Sequence, residues 1–119
     1  MPDLLDPRVL QYLDGLLAPR DPLLTEMEAQ ASRERIPISG PHVGGLLALL
    51  IQLGRPSRVL EVGTGCGFLT ALLGYSAGEV HSVDIFPEFT ESAAPKLGRY
   101  GIGNVHLYTG DAALGWPQA

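Results

Sequence analysis

Two amphipathic stretches open the chain. Val9, Leu10, Leu13, Leu16 and Leu17 fall on one helical face, and Leu23, Leu24, Met27 and Ala31 on another, at the three-and-four spacing that buries one stripe of a helix. Each stretch follows an Asp-Pro pair, Asp6-Pro7 and Asp21-Pro22, where the acid can cap the first turn and proline sacrifices no hydrogen bond. Ile36-Pro37-Ile38-Ser39-Gly40-Pro41 then breaks the pattern, because the residue before each proline is driven to extended backbone; this segment is read as a linker or binding loop. Residues 42–53 are almost continuously apolar, with Gly44 and Gly45 allowing close packing and Gly54 and Pro56 as a stop, which predicts a buried helix. Residues 58–62 form a short β-branched run cut off by Gly63, the pattern of a strand buried on both faces of a parallel sheet. Helix is predicted over 68–77 and 87–100, and strand over 79–83 and 104–109. The alternation β-α-β-α-β implies an α/β fold with a right-handed parallel sheet. The chain divides into an N-terminal helical segment, residues 1–37, and a ligand-binding half-domain, residues 38–119.

The composition narrows the function. A chain of 119 residues with 45% hydrophobic and 18% charged residues is that of a globular domain with one modest core. A formal charge of −5 argues against a nucleic-acid partner, since phosphate contacts need a basic face. No long apolar run suits a bilayer and the N-terminus has no basic lead-in, so no membrane partner is expected. The single Cys66 makes no internal disulfide, which fits a reducing, cytoplasmic setting.

The candidate chemistry begins where the first predicted strand ends. In Glu61-Val62-Gly63-Thr64-Gly65-Cys66-Gly67-Phe68, glycine at every second position lets the backbone turn tightly against a ligand. Phe68 occupies the place of the third glycine of a dinucleotide-binding loop, and the Gly-Lys-Ser/Thr ending of a phosphate-binding loop is missing. Asp84 closes the second strand, where a carboxylate can accept from both hydroxyls of a ribose, and Gly110-Asp111 closes the third. Strand-end loops converge at the carboxyl edge of a parallel sheet, so a nucleoside with a short polar tail is the expected ligand.

On these residues, the stretch from 59 to 111 resembles the motifs of class I S-adenosylmethionine-dependent methyltransferases, with a likeness that covers residues 38–118. The resemblance implies a Rossmann-like sheet whose first three strands run in the order 3-2-1. It implies S-adenosyl-L-methionine as cofactor and S-adenosyl-L-homocysteine as product. Glu61, Gly63, Thr64, Gly65 and Gly67 would wrap the methionine part, Asp84 would hold the ribose, Ile85 would pack on adenine and Asp111 would bind its amino group. Two subfamilies fit. Ile38-Ser39-Gly40-Pro41-His42 and Gly110-Asp111-Ala112-Ala113-Leu114-Gly115-Trp116-Pro117 are similar to segments of protein-L-isoaspartate O-methyltransferases, with Gly40 and Ala112 as departures. The helical lead-in, residues 24–38, is similar to catechol-type small-molecule O-methyltransferases. Either implies methyl transfer to a carboxylate or hydroxyl oxygen of an isoaspartyl protein or a small molecule; a non-catalytic cofactor-binding module is the alternative. In a complete enzyme of this class the strand at 59–62 is central. A chain that stops after its third strand leaves that strand at an edge, and is expected to be part of a longer protein, lacking its C-terminal half, or to form a homodimer.

Ser39 is the tentative substrate contact, as the match to a serine that touches the substrate carboxylate in isoaspartyl enzymes; the competing role is a cap on the following helix. His42 either donates at the same rim or is a satisfied surface group. No metal ligand is assigned, and His81 and His106, alternating within strands, receive no role. Cys66 is read as a small side chain that fits the loop, and Trp116 as core packing or a cover for adenine.

Overall fold

A computed structural model describes residues 4–17 and 21–115. Among them are helices α1 (Pro7–Gly15), α2 (Pro22–Glu34) and α3 (Gly40–Gly54), strand β1 (Arg58–Val62), helix α4 (Phe68–Ser76), strand β2 (Glu79–Asp84), helix α5 (Pro87–Arg99), strand β3 (Val105–Thr109) and a 3₁₀ turn at Ala112–Leu114. The three strands form one parallel sheet in the order β1-β2-β3, which is 3-2-1 read from the other side. No described helix is long and apolar enough to cross a membrane.

The capping acids behave as the sequence predicts. Asp6 accepts from the Arg8 N–H and Asp21 from the Leu23 and Leu24 N–H groups, each with proline in the first turn behind it. The end of α3 differs from expectation: its left-handed closing residue is Arg55 (φ 46°) rather than a glycine, and α2 likewise closes on a left-handed Arg35 (φ 55°). Gly54 is instead the last helical residue of α3.

One hydrophobic cluster joins Leu23, Met27 and Ala31 of α2 to Cys66, Phe68, Ala71, Leu97 and Ile102. Strand alternation explains its geometry. Val80, Ser82 and Asp84 are buried on the face of the sheet packed by α4 and α5, while Glu79 and His81 point to the opposite face. That opposite face carries two corrections. β1 was expected to be buried on both faces, yet Leu60 is 57% and Val62 69% exposed, because among the described residues helices pack on one side only. The same reason applies to α3, which was expected to be buried. It meets α4 through the side bearing Gly44, while Val43, Leu46, Leu49, Leu50 and Leu53 stay exposed. The edge expectation holds among the described residues: β2 is the central strand, and β1 lies at an edge, as does β3. The first helical stripe, with Val9, Leu10 and Leu16 exposed, buries no residue of α1.

Gly67 closes the glycine loop at φ 92°, and a Cβ there would sit 3.1 Å from Met27 Cε and 3.2 Å from Ala93 Cβ. Gly67→Ala therefore adds backbone strain to overpacking and is expected to cost about 2–4 kcal/mol. Urea melts of the two proteins measure it.

Candidate functional site

The glycine loop forms where β1 runs out. Gly63 N–H still donates to the Val83 carbonyl at 2.7 Å, as if extending the sheet, and the chain then folds back so that Gly67 N–H reaches the Thr64 carbonyl at 2.9 Å. Gly63 (φ 96°) and Gly65 (φ 54°) both take left-handed backbone, which makes this turn possible beside a ligand. Helix α2 backs the loop, with the Cys66 thiol donating to the Met27 carbonyl at 3.5 Å. Lys96 ties the same wall together, reaching Gln30 of α2 and, at 3.4 Å, the Cys66 carbonyl. Nothing in the apolar periodicity of α2 pointed to this supporting role.

A cavity of about 150 Å³ opens at the carboxyl end of β1, lined by Pro37, Ser39, Glu61, Gly63, Thr64 and Leu69 among others. Ligand pockets for whole cofactors run to about 300 Å³ or more, so this volume suits the short polar tail of a nucleoside rather than all of it. Its polar wall is Glu61, only 6% exposed. One carboxylate oxygen accepts from Thr70 Oγ1 and from Ser82 Oγ, the latter at 2.6 Å, and Ser82 Oγ is 2.7 Å from Thr64 Oγ1. The other oxygen, Oε2, is buried with no hydrogen-bond partner among the described residues. Burial pushes the Glu61 pKa up; the Ser82 and Thr70 hydrogen bonds oppose this and the nearby Asp84 charge adds to it. The start of α4 lines the same cavity through Phe68 and Leu69; Gly67 is its N-cap residue and no side chain caps its first turn. A buried acceptor and a helix N-terminus at one cavity suit a zwitterion, with its ammonium at Glu61 and its carboxylate at the helix.

The remaining predicted residues lie along the same edge of the sheet. Asp84, 8% exposed, accepts from Gly65 N–H at 2.9 Å and Phe86 N–H at 3.0 Å. Its carboxylate so joins the loop after β1 to the start of α5, and each oxygen keeps a second acceptor position. Gly110 N–H donates to the Asp84 carbonyl at 2.9 Å, which draws the end of β3 to the same place. Ile85 is 58% exposed beyond Asp84. Asp111 is exposed and caps the 3₁₀ turn through Ala113 N–H. Thus Ser39, Glu61, Gly63, Thr64 and Gly65 share the cavity, while Gly67, Asp84, Ile85 and Asp111 do not line it.

Ser39 makes no capping hydrogen bond to α3 and is exposed at the cavity rim. His42 has a partner that sequence did not reveal: Nε2 lies 2.9 Å from Asp14 Oδ1 of α1. Trp116 and Pro117 lie outside the described residues.

The chain matches the sequence model of the family described as Protein-L-isoaspartate(D-aspartate) O-methyltransferase over residues 24–119. It is 50% identical over 81 residues to the protein-L-isoaspartate O-methyltransferase of Myxococcus xanthus (strain DK1622), covering 68% of this chain and 38% of that protein. A solved methyltransferase from Geobacter sulfurreducens superimposes with a TM-score of 0.82 at 33% identity, covering 90% of this chain and 58% of that one. The O-methyltransferase TomG from Streptomyces achromogenes, involved in tomaymycin synthesis and solved in complex with SAM, gives 0.79 at 27% identity over 94% of this chain and 55% of that one. The parallel sheet with its flanking helices is that of the Rossmann-like methyltransferases. Within that class, the chain belongs to the protein-L-isoaspartate(D-aspartate) O-methyltransferase family. It spans well under two thirds of the length of these relatives.

Proposed function

We propose that this chain binds S-adenosyl-L-methionine and supplies the cofactor half of an O-methyltransferase acting on isoaspartyl carboxylates. The observation that carries the reading is the buried Glu61 Oε2, an acceptor without a partner among the described residues at a cavity of amino-acid size. Glu61 would take the cofactor's ammonium, and the first-turn N–H groups of α4, at the end of the loop from Gly63 through Thr64 and Gly65 to Gly67, its carboxylate. Asp84 would accept from the ribose hydroxyls with the lone pairs its backbone bonds leave over, Ile85 would lie against adenine, and Asp111 would meet its amino group. The bound cofactor supplies a methyl group on a sulfonium. This chain's residues hold it in place and keep water from it.

A substrate carboxylate is already ionised at neutral pH, so no protein base is needed. Ser39, at the cavity rim and not engaged as a cap, would donate to that carboxylate. Within the N-terminal segment, residues 1–37, helix α2 would back the loop, as Met27 does. The buried free thiol of Cys66 supports a cytoplasmic setting.

Calorimetric titration of the chain with S-adenosyl-L-homocysteine and with NAD tests the cofactor. One equivalent of S-adenosyl-L-homocysteine is expected to bind and NAD is not; the reverse overturns the reading. The similarity of residues 24–38 to catechol-type small-molecule O-methyltransferases favours a second reading, a small phenolic substrate activated by a divalent ion. A longer form of the protein that methylates an isoaspartyl peptide in the presence of chelator supports the first. Activity only on a phenol, abolished by chelator, supports the second.

The exposed apolar surfaces of α3 and β1 support a partner, either the polypeptide that makes up the remaining length of the relatives or a second copy of this chain. Light scattering of the purified 119-residue chain alone is expected to show a species larger than 12.7 kDa. A stable monomer counts against this assignment.

A further inference from the structure

On the sheet face away from α4 and α5, the parallel register sets His81 directly opposite His106. Glu79, two residues before His81, points to the same face. Its Oε1 lies 3.1 Å from His81 Nε2 and 3.1 Å from His106 Nε2, and one ligand atom from each of the three residues falls within 4.8 Å of the others. The two imidazoles are stacked with centroids 4.9 Å apart and planes 20° apart, so their Nε2 atoms flank the same carboxylate oxygen. We propose that Glu79, His81 and His106 form a binding site for a divalent transition-metal ion of the zinc type.

Donor chemistry and spacing agree. Two imidazoles and one carboxylate suit zinc and its first-row neighbours, whereas magnesium and calcium prefer all-oxygen shells. With metal–ligand bonds of about 2.0–2.2 Å, neighbouring donors in a tetrahedral shell stand roughly 3.3–3.5 Å apart, so the two 3.1 Å spacings need only a small outward movement. The ring of His81 is also oriented for the task. Its Nδ1 is 3.3 Å from Tyr108 Oη, the contact that fixes tautomer and ring plane when the other nitrogen binds a metal. Exposure favours entry, because the side chains of Glu79 and His106 are 41% and 47% exposed. Three protein donors leave a fourth position for water or a further ligand. The site lies toward the amino ends of the strands, with Glu79 five residues or about 16 Å and His81 three residues or about 10 Å along β2 from Asp84, and none of the three ligands lines the cofactor cavity. A bound ion would join β2 to β3 through side chains, in addition to their backbone ladder.

Zinc chloride titrated into the full chain in a non-chelating buffer, followed by calorimetry, tests this. One ion per chain is expected, with micromolar or tighter affinity and a rise in Tm on saturation. His106→Gln and Glu79→Gln, both at well-exposed side chains where folding is not at stake, are each expected to weaken binding at least tenfold. Cobalt(II) added in place of zinc is expected to give tetrahedral visible absorption that His106→Gln removes. His42→Gln, which changes the histidine paired with Asp14, is expected to leave the affinity unaltered. Absence of binding below roughly 1 mM zinc overturns the proposal. So do an affinity unchanged in both ligand variants and a loss of binding in His42→Gln.

Discussion

Glu61→Gln is expected to weaken S-adenosyl-L-homocysteine binding about ten- to a hundredfold while leaving the unliganded protein at least as stable at pH 7 as the wild type. The two effects share one cause. Without ligand, Glu61 holds the Thr70 and Ser82 hydroxyls on one oxygen, while the other is buried and unpartnered. Burial raises its pKa, so the native protein holds this proton more tightly than the unfolded chain does. The stability that the neutral form contributes is fully present below the unfolded value near 4.5 and is lost as pH rises through the raised folded value. Glutamine keeps an acceptor for the two hydroxyls and has no charge to desolvate. With ligand the balance reverses, because the ammonium would turn the ionised carboxylate into a partner in a charge-assisted hydrogen bond, worth about 1.5–3 kcal/mol. Urea melts from pH 4 upward should show the wild type losing stability relative to Glu61→Gln across that window. Equal affinity of the two proteins for S-adenosyl-L-homocysteine would remove Glu61 from the cofactor site.

Much of this site was legible because it depends on local rules. Asp6-Pro7 and Asp21-Pro22 mark helix starts through capping chemistry that involves only neighbouring residues. Gly63, Gly65 and Gly67 mark a left-handed turn at the end of a strand, and Asp84 follows from counting to the end of the next strand. What was not legible depends on partners remote in sequence. The apolar run of α3 says that those side chains favour burial but not against what, so their exposure could not be read from it. Met27 supports the loop from a helix whose docking side is a tertiary property. Glu79 and His81 could be seen to share a face, being two residues apart in a strand. The third member, His106, joins them only through the register of β2 on β3, which no local pattern fixes.

Asp84→Ala is expected to damage both fold and affinity, since the structure gives this carboxylate two tasks where the sequence suggested one. It accepts Gly65 N–H at 2.9 Å and Phe86 N–H at 3.0 Å while 8% exposed. Alanine leaves both donors without their acceptor, a loss of about 2–4 kcal/mol if each contributes about 1–2. For a domain of this size, Tm should fall by about 4 °C for each kcal/mol. Affinity for S-adenosyl-L-homocysteine should fall ten- to a hundredfold, but a displaced loop alone would also weaken binding, so that number does not isolate the ribose. The 2′-deoxy analogue of the same ligand does. Wild-type protein should bind the analogue about tenfold more weakly than the parent, because one hydroxyl no longer donates to the carboxylate. In Asp84→Ala the carboxylate is gone, and parent and analogue should bind alike even if both bind weakly. The difference between the two ratios is the coupling of that hydroxyl to Asp84, separated from any change in the loop common to both ligands. If the variant discriminates the two ligands as strongly as the wild type does, the ribose lies elsewhere, and Asp84 serves only to hold the glycine loop against α5.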